Sequence, residues 1–439
     1  MRLPSILLAC ALFTSCSASK QQQMSYMNAY HSSSLAEASS KSSEVLKKAI
    51  PNFSFRESKD AVWMLLDSGT LHLANGEVGA SVEAFRLALE AIDYYDQECF
   101  DEILAQVALQ DDVAAYIPDD YEQVLARLYF SLALFANEDA ANAQALLRQA
   151  EAFQQRRQEE YRDHPLSEAY QIHENAMCKL LFAACLEHSG DHSNARILYK
   201  DAKKLLGDDL AHYSLTNGSE KHAKLILVCH NGKRPKKISR VSRMSQASTI
   251  ALEYFMDDLS IHEGPTLTSL SGIATPCYCD WQDGYTSPVS VCVNDSQTFS
   301  CMPCYDVAAA ARAELEQKMP VLVAKGAARY LLRRSLVAAA NSKDSDMGAF
   351  MDVAMYITNA ATEADTRSWA SLPYKIEMLS LDLPEGIHDL TVRVGPYEKH
   401  VKLDLRSRDF CVLNLFTFLP DTCQLIVPKT FMIQEGELL

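Results

Sequence analysis

One offset pattern recurs three times in the helix-forming half of this 439-residue chain, and it limits the fold more than any other feature. Gly69 and Gly76 are followed by Ser81, Phe85 and Ala88; Ser131 and Glu138 by Ala143, Leu147 and Ala150; Ala183 and Gly190 by Ala195, Tyr199 and Ala202. The offsets are the same each time. From about Asn52 to Leu206, Ala, Leu, Glu and Gln recur at helical spacing and prolines are few, which predicts amphipathic helices. Small residues at a helix crossing let two backbones approach, and the bulky residue between them fills the groove left beside the crossing.

This arrangement resembles the tetratricopeptide repeat, a helix pair that stacks on its neighbours and leaves a concave surface for a peptide or protein. Two features depart from that pattern. Glu138 stands where the other two units have a turn glycine, and successive turns lie 62 and then 52 residues apart, against about 34 in the repeat family. Longer or intervening helices are therefore required, and Pro118 followed by Asp119 and Asp120 marks the start of one. A non-repeat helical bundle has the same alanine-rich composition and stays open.

The N-terminus reads as an export signal: Arg2, an apolar stretch from Leu3 to Phe13, then Thr14-Ser15-Cys16. The stretch is too short for a permanent span of about 20 residues. Leu12 to Cys16 resembles the lipobox of bacterial lipoproteins, which implies cleavage after residue 15 and acylation of Cys16. Acyl chains would hold the protein at a membrane, and Ser17 in place of Asp implies the outer one. Residues 16–50, rich in Ser, Gln and Lys, are expected to form a flexible tether.

The expected fold class is α+β: a helical region over 51–215, a strand-rich cysteine-containing region over 216–305, a helical segment over 306–372 and a β domain over 373–439. Alternating apolar residues from Tyr374 to Val427 predict an antiparallel sheet with turns at Gly386 and Gly395-Pro396. Lys233, Arg234, Lys236, Lys237, Arg240 and Arg243 form a cationic run. It reads as a solvated loop or charged edge strand, or alternatively as an anion-binding surface.

Two segments are more specific than their composition. Leu225 to Lys237, containing Asn231, Gly232, Pro235 and Lys236, and Thr362 to Pro373, containing Asp365, Arg367, Trp369 and Leu372, resemble signature segments of a bacterial family of tetratricopeptide-containing lipoproteins. The resemblance implies that architecture and an envelope location. That family carries no established biochemical activity. Trp369 is expected to pack between the preceding helix and the C-terminal sheet, with Arg367 near Asp365 and Pro373 ending the helical path.

Five of the 13 cysteines fall close together: Cys277, Cys279, Cys292, Cys301 and Cys304. In an exported chain they favour two disulfides with one thiol left over, or a pairing that draws in Cys411 or Cys423. Tetrahedral zinc held by four of the thiolates, or a redox dithiol at Cys301 and Cys304, are the alternatives. No other cofactor is indicated. The net charge of -16 disfavours binding to nucleic acid phosphates. Phosphate-binding glycine loops, HExxH helices and GxSxG elbows do not occur in the sequence. The reading is a membrane-anchored envelope scaffold or adaptor that binds a protein or peptide partner, with an enzyme assembled from distant residues as the alternative.

Overall fold

A computed structural model describes residues 21–32, 34–50, 58–95, 115–163, 171–207, 222–241, 272–279, 286–342, 345–361, 363–417 and 423–433. Cys16 and the export signal lie outside them, as does Arg243. Ten helices and eleven strands occur among the described residues.

The helical half begins earlier than its composition implies. Residues 21–31 form α1 and Leu35–Ala49 form α2, which replaces the expected tether over this stretch. Tyr26, Tyr30, Ala38 and Val45 are buried in the main core. The serine content hid this. Ser39 and Ser42 are buried because their hydroxyls donate back to the carbonyls of Ala36 and Ser39, at 3.2 and 2.8 Å, so a serine face can pack like a small apolar one.

Three helix pairs follow: α3 (Ala61–Ala74) with α4 (Val78–Tyr95), α5 (Asp120–Ala136) with α6 (Ala140–Arg162), and α7 (Ala176–His188) with α8 (His192–Leu206). The three intervening turns have one geometry. Gly76, Glu138 and Gly190 each adopt positive φ (80°, 64° and 88°). The next amide in each turn closes on the carbonyl five residues back: Glu77 on His72, Asp139 on Leu134 and Asp191 on Leu186. This is the Schellman ending of a helix. Glu138 therefore takes a left-handed conformation that normally favours glycine, while its carboxylate accepts the Thr430 amide at 2.8 Å. The recurring small residues sit at crossings: Ser81 donates to the Gly69 carbonyl at 2.8 Å, and a Cβ on Gly69 would lie 2.8 Å from the Phe85 ring. Ser131, Ala143, Leu147, Ala150, Ala183, Ala195, Tyr199 and Ala202 are all buried.

The first helix of each pair is enclosed almost all round, whereas α4, α6 and α8 bury one face. Over α3 the enclosing surface is made largely by α1 and α2, and over α5 and α7 by a sheet of the same chain. Strand β1 (His222–Asn231) lies in a five-stranded sheet of order β11-β10-β1-β7-β6, parallel to β10 (Phe410–Thr417) and antiparallel to β7 (Lys375–Pro384). The edges are β11 (Gln424–Ile426) and β6 (Met302–Asp306). A second, antiparallel sheet has the order β5-β4-β8-β9, from β4 (Val289–Val293), β5 (Gln297–Ser300), β8 (Gly386–Val394) and β9 (Tyr397–Leu405). A short ribbon pairs β2 (Lys237–Val241) with β3 (Ala274–Tyr278).

The result is three layers: helices, five-stranded sheet, four-stranded sheet. Successive residues of a strand point to opposite faces. Ile226 and Val228 therefore join the core with the helices, while Leu225, Leu227 and Cys229 join the core between the sheets. This explains the unbroken apolar run of β1, since both faces are covered. It also corrects the expected domains. The 216–305 and 373–439 regions are not separate units, and the C-terminal strands are divided between two sheets, one with a parallel pair. Helices α9 (Val307–Asn341) and α10 (Ser345–Ala361) pack against each other. Among the described residues no helix is long and apolar enough to cross a membrane.

Candidate functional site

The two family-like segments meet between the helices and the five-stranded sheet, where they build a closed polar cluster. Strand β1 carries His230 and Asn231 to its end, and the backbone then turns at Gly232, whose φ is +76° and whose amide donates to the Thr417 carbonyl at 2.8 Å. The Arg234 amide donates to the Leu372 carbonyl at 3.2 Å, and the Tyr374 amide to Asn231 at 3.1 Å, which places the segments side by side. Pro235, Leu372 and Pro373 are buried at this seam. Lys236 is exposed, and its carbonyl accepts the Cys279 amide at 3.0 Å.

Glu122 of α5 is the centre of the cluster and is fully buried. Its carboxylate accepts Arg234 Nη1 at 2.9 Å, Tyr121 Oη at 3.0 Å, the Trp369 amide at 3.1 Å and the Tyr116 hydroxyl. Arg234 also donates to Tyr121 and lies over the Tyr278 ring. Lys233 Nζ donates to the His31 carbonyl at 3.3 Å. At Lys237, burial would lower the pKa, but Asp119, Tyr278 and Asp365 nearby hold it above the ordinary value. The cationic run is thus neither a free loop nor an open anion surface at these positions. Arg234 and Lys237 are drawn inward by Glu122, Asp119 and Asp365, whereas Lys236 and Arg240 are exposed, Arg240 on the charged edge strand β2.

Arg367 forks onto Asp365, with Nε to Oδ1 at 3.0 Å and Nη2 to Oδ2 at 2.8 Å, and reaches Asp60 Oδ1 with Nη1 at 3.1 Å. Burial alone would raise the Asp365 carboxyl, but the Arg367 guanidinium outweighs it and holds the pKa below the usual range. Trp369 is wholly buried against Phe85 and Tyr129, and its indole N–H donates to Thr70 and Ser371, both at 3.0 Å. The expected packing against the preceding helix is corrected: the ring lies against α4 and α5, because its N–H finds acceptors on α3 and in its own loop. Asp67 of α3 accepts the Ser371 amide at 2.8 Å and the Tyr26 hydroxyl at 2.9 Å. Burial raises its pKa, partly offset by these neutral donors and by Gln23.

On the sheet side, His230 stacks on Phe416, with ring centroids 4.1 Å apart. It is bonded to Tyr129 Oη at 2.8 Å and Asn414 Oδ1 at 3.3 Å, and burial pushes its pKa down to about 4. Asn231 donates to Glu377 at 2.6 Å and to the Ser287 carbonyl at 2.8 Å, and accepts the Thr417 hydroxyl at 3.1 Å. Acids, bases and phenols are therefore abundant, yet each of these polar groups is bonded to another. Chemically the cluster is suited to holding layers together. Motif reading missed Asp60, Asp67, Glu122 and Glu377, although a carboxylate inside the otherwise apolar α3 sequence was a usable signal for Asp67.

The five clustered cysteines separate in space. Cys277 and Cys279 lie on and just beyond β3, Cys292 on β4, Cys304 in the core that faces the helices, and Cys301 between β5 and β6. All five are unbridged in this structure, and the sulfur nearest at hand to Cys301 is that of Cys229, on β1 and outside the cluster. Sequence proximity brought them together on paper, and the sheet order pulls them apart. Among the described residues no group of three or more His, Cys, Asp or Glu side chains is placed to hold a metal. Comparison of the chain with protein-family models, with curated proteins and with solved structures finds no match in any of the three.

Proposed function

We propose that this protein is a non-catalytic scaffold or adaptor of a bacterial cell envelope, anchored through a lipid on Cys16, with three tetratricopeptide-like helix pairs as its frame. The shared turn at Gly76, Glu138 and Gly190 supports the repeat reading. One observation carries the functional one. The richest concentration of acid-base side chains, around Glu122, Arg367 and His230, is spent on bonds between layers of the chain itself.

The same geometry changes where a partner would bind. In a free-standing repeat array the first helices of the pairs line the concave surface. Here that surface is covered by α1, α2 and the five-stranded sheet, so a protein partner would be met on the outward faces of α4, α6 and α8. Crosslinking in intact cells from Glu83, Arg148 and Arg196, positions along those faces, tests this. The expected result is a discrete crosslinked protein from at least one position, reduced when Cys16→Ala releases the chain from the membrane fraction. Absence of a crosslinked species from all three, together with unchanged membrane association of Cys16→Ala, would overturn both parts.

A further inference from the structure

Cys229 closes the apolar run of β1 and is fully buried in the core between the two sheets. Cys301 is the single residue between β5 and β6, where the chain passes from the four-stranded sheet to the five-stranded one. The Cys301 amide donates to the Val289 carbonyl at 2.9 Å, which pins its backbone to β4. Its sulfur lies 3.3 Å from that of Cys229. A disulfide measures about 2 Å between sulfurs, so the pair needs a closure of roughly one ångström, within reach of small side-chain rotations.

We propose that Cys229 and Cys301 are a disulfide site, and that the bond staples the two sheets when the chain meets a disulfide oxidant. The inference does not depend on where the protein resides or on the scaffold reading. Cys301 is the more accessible thiol. Its thiolate attacks one sulfur of a small disulfide such as oxidised glutathione, whose S–S bond breaks and releases one glutathione thiolate. Cys229 then loses its proton, attacks the Cys301 sulfur and expels the second glutathione thiolate. Two protein thiols are oxidised and one small disulfide is reduced to two thiols. Burial, and then the neighbouring Cys301, raise the Cys229 thiol well above its ordinary value, which suits it to resolving the mixed disulfide and not to first attack. The closed loop spans a sequence separation of 72 residues, so the bond restricts the unfolded chain strongly.

Cys423 is the competitor, since it too packs against this core and influences Cys229. The test uses the full chain equilibrated with oxidised glutathione, quenched with an alkylating agent in denaturant and mapped without reduction. A cross-linked peptide pair containing Cys229 and Cys301 is expected, with a melting temperature several degrees above that of the reduced protein. Cys301→Ser should abolish the cross-link and leave Cys229 open to alkylation, whereas Cys292→Ser should leave the link intact. If the serine variant does not fold, the comparison of oxidised and reduced wild type still decides. Full alkylation of both thiols after oxidation, a Cys301 to Cys423 link, or equal melting temperatures would overturn the proposal.

Discussion

Glu122 and Arg234 are 2.9 Å apart with almost no solvent around either, so removing one leaves the other charged and unpaired inside the protein. Loss of one partner of a buried pair costs about 3 to 5 kcal/mol. Arg234→Met is therefore expected to destabilise the protein by that amount, and the double variant with Glu122→Leu by less than the sum, as chemical denaturation of the four proteins of the cycle will show. Trp369→Ala should cost about 3 to 5 kcal/mol, since it empties a buried site and removes the hydrogen bonds of the indole N–H to Thr70 and Ser371. Unchanged stability in that variant would mean the ring is not part of the core. His230 supplies a pH signature. Its folded pKa of about 4 lies below the unfolded value, so the unfolded chain takes up the proton first as pH falls. The stability from keeping it neutral is present above about pH 6.5 and is lost as pH falls towards the folded value, by up to roughly 3 kcal/mol. His230→Gln is expected to flatten that part of the curve, measured as the difference in unfolding free energy across this window. Parallel curves for the two proteins would rule it out.

At the scale of the elements, three turns with one backbone geometry tolerate two residue types for different reasons. Gly190 has φ +88° and open space where a Cβ would stand, so Gly190→Ala isolates the conformational penalty at about 1 kcal/mol. Gly69 has an ordinary helical backbone, but its added methyl would collide with the Phe85 ring. Gly69→Ala is thus expected to destabilise more than Gly190→Ala; thermal unfolding of both variants checks the order, and the reverse order would discount the close crossing of α3 and α4. Helix α5 is held at its start by another element. Glu314 of α9 accepts the amides of Asp120 and Tyr121, at 2.7 and 3.1 Å, while Asp119 at the cap position turns to Lys318 at 2.5 Å. The Pro118-Asp119-Asp120 signal located this helix start. It did not disclose the partner that completes it, because the spacing of local residues carries no record of a side chain nearly two hundred positions away.

Across the whole molecule, the layers depend on one another. The first helices of the pairs are enclosed by the sheet together with α1 and α2, and the central strand of that sheet is enclosed by the helices on one side and the second sheet on the other. Residues 58–207 alone would expose the inner faces of α3, α5 and α7, an apolar surface well beyond what soluble monomers usually show. That fragment is expected to aggregate or to bind a hydrophobic dye. The full chain should unfold with coincident transitions by circular dichroism and by tryptophan fluorescence, because Trp63 and Trp369, two of its three tryptophans, report the same core. A soluble, cooperatively folded fragment would show instead that the helical layer is an independent domain.

Local pattern was enough to place α3 to α8, because helical period and turn residues are properties of neighbouring residues. It was also enough to mark residues 225–237 and 362–373 as special. It misread the serine-rich start, where buried hydroxyls bonded to their own helix look like solvated ones in a composition. Only the tertiary structure decided that β1 lies between β7 and β10, that the clustered cysteines disperse while Cys229 meets Cys301, and that Arg234 of the cationic run turns inward onto Glu122. The physical reason is shared. Strand order and the pairing of buried charges are settled by which distant surfaces exclude water from one another, and that is a property of the assembled layers, not of any one segment.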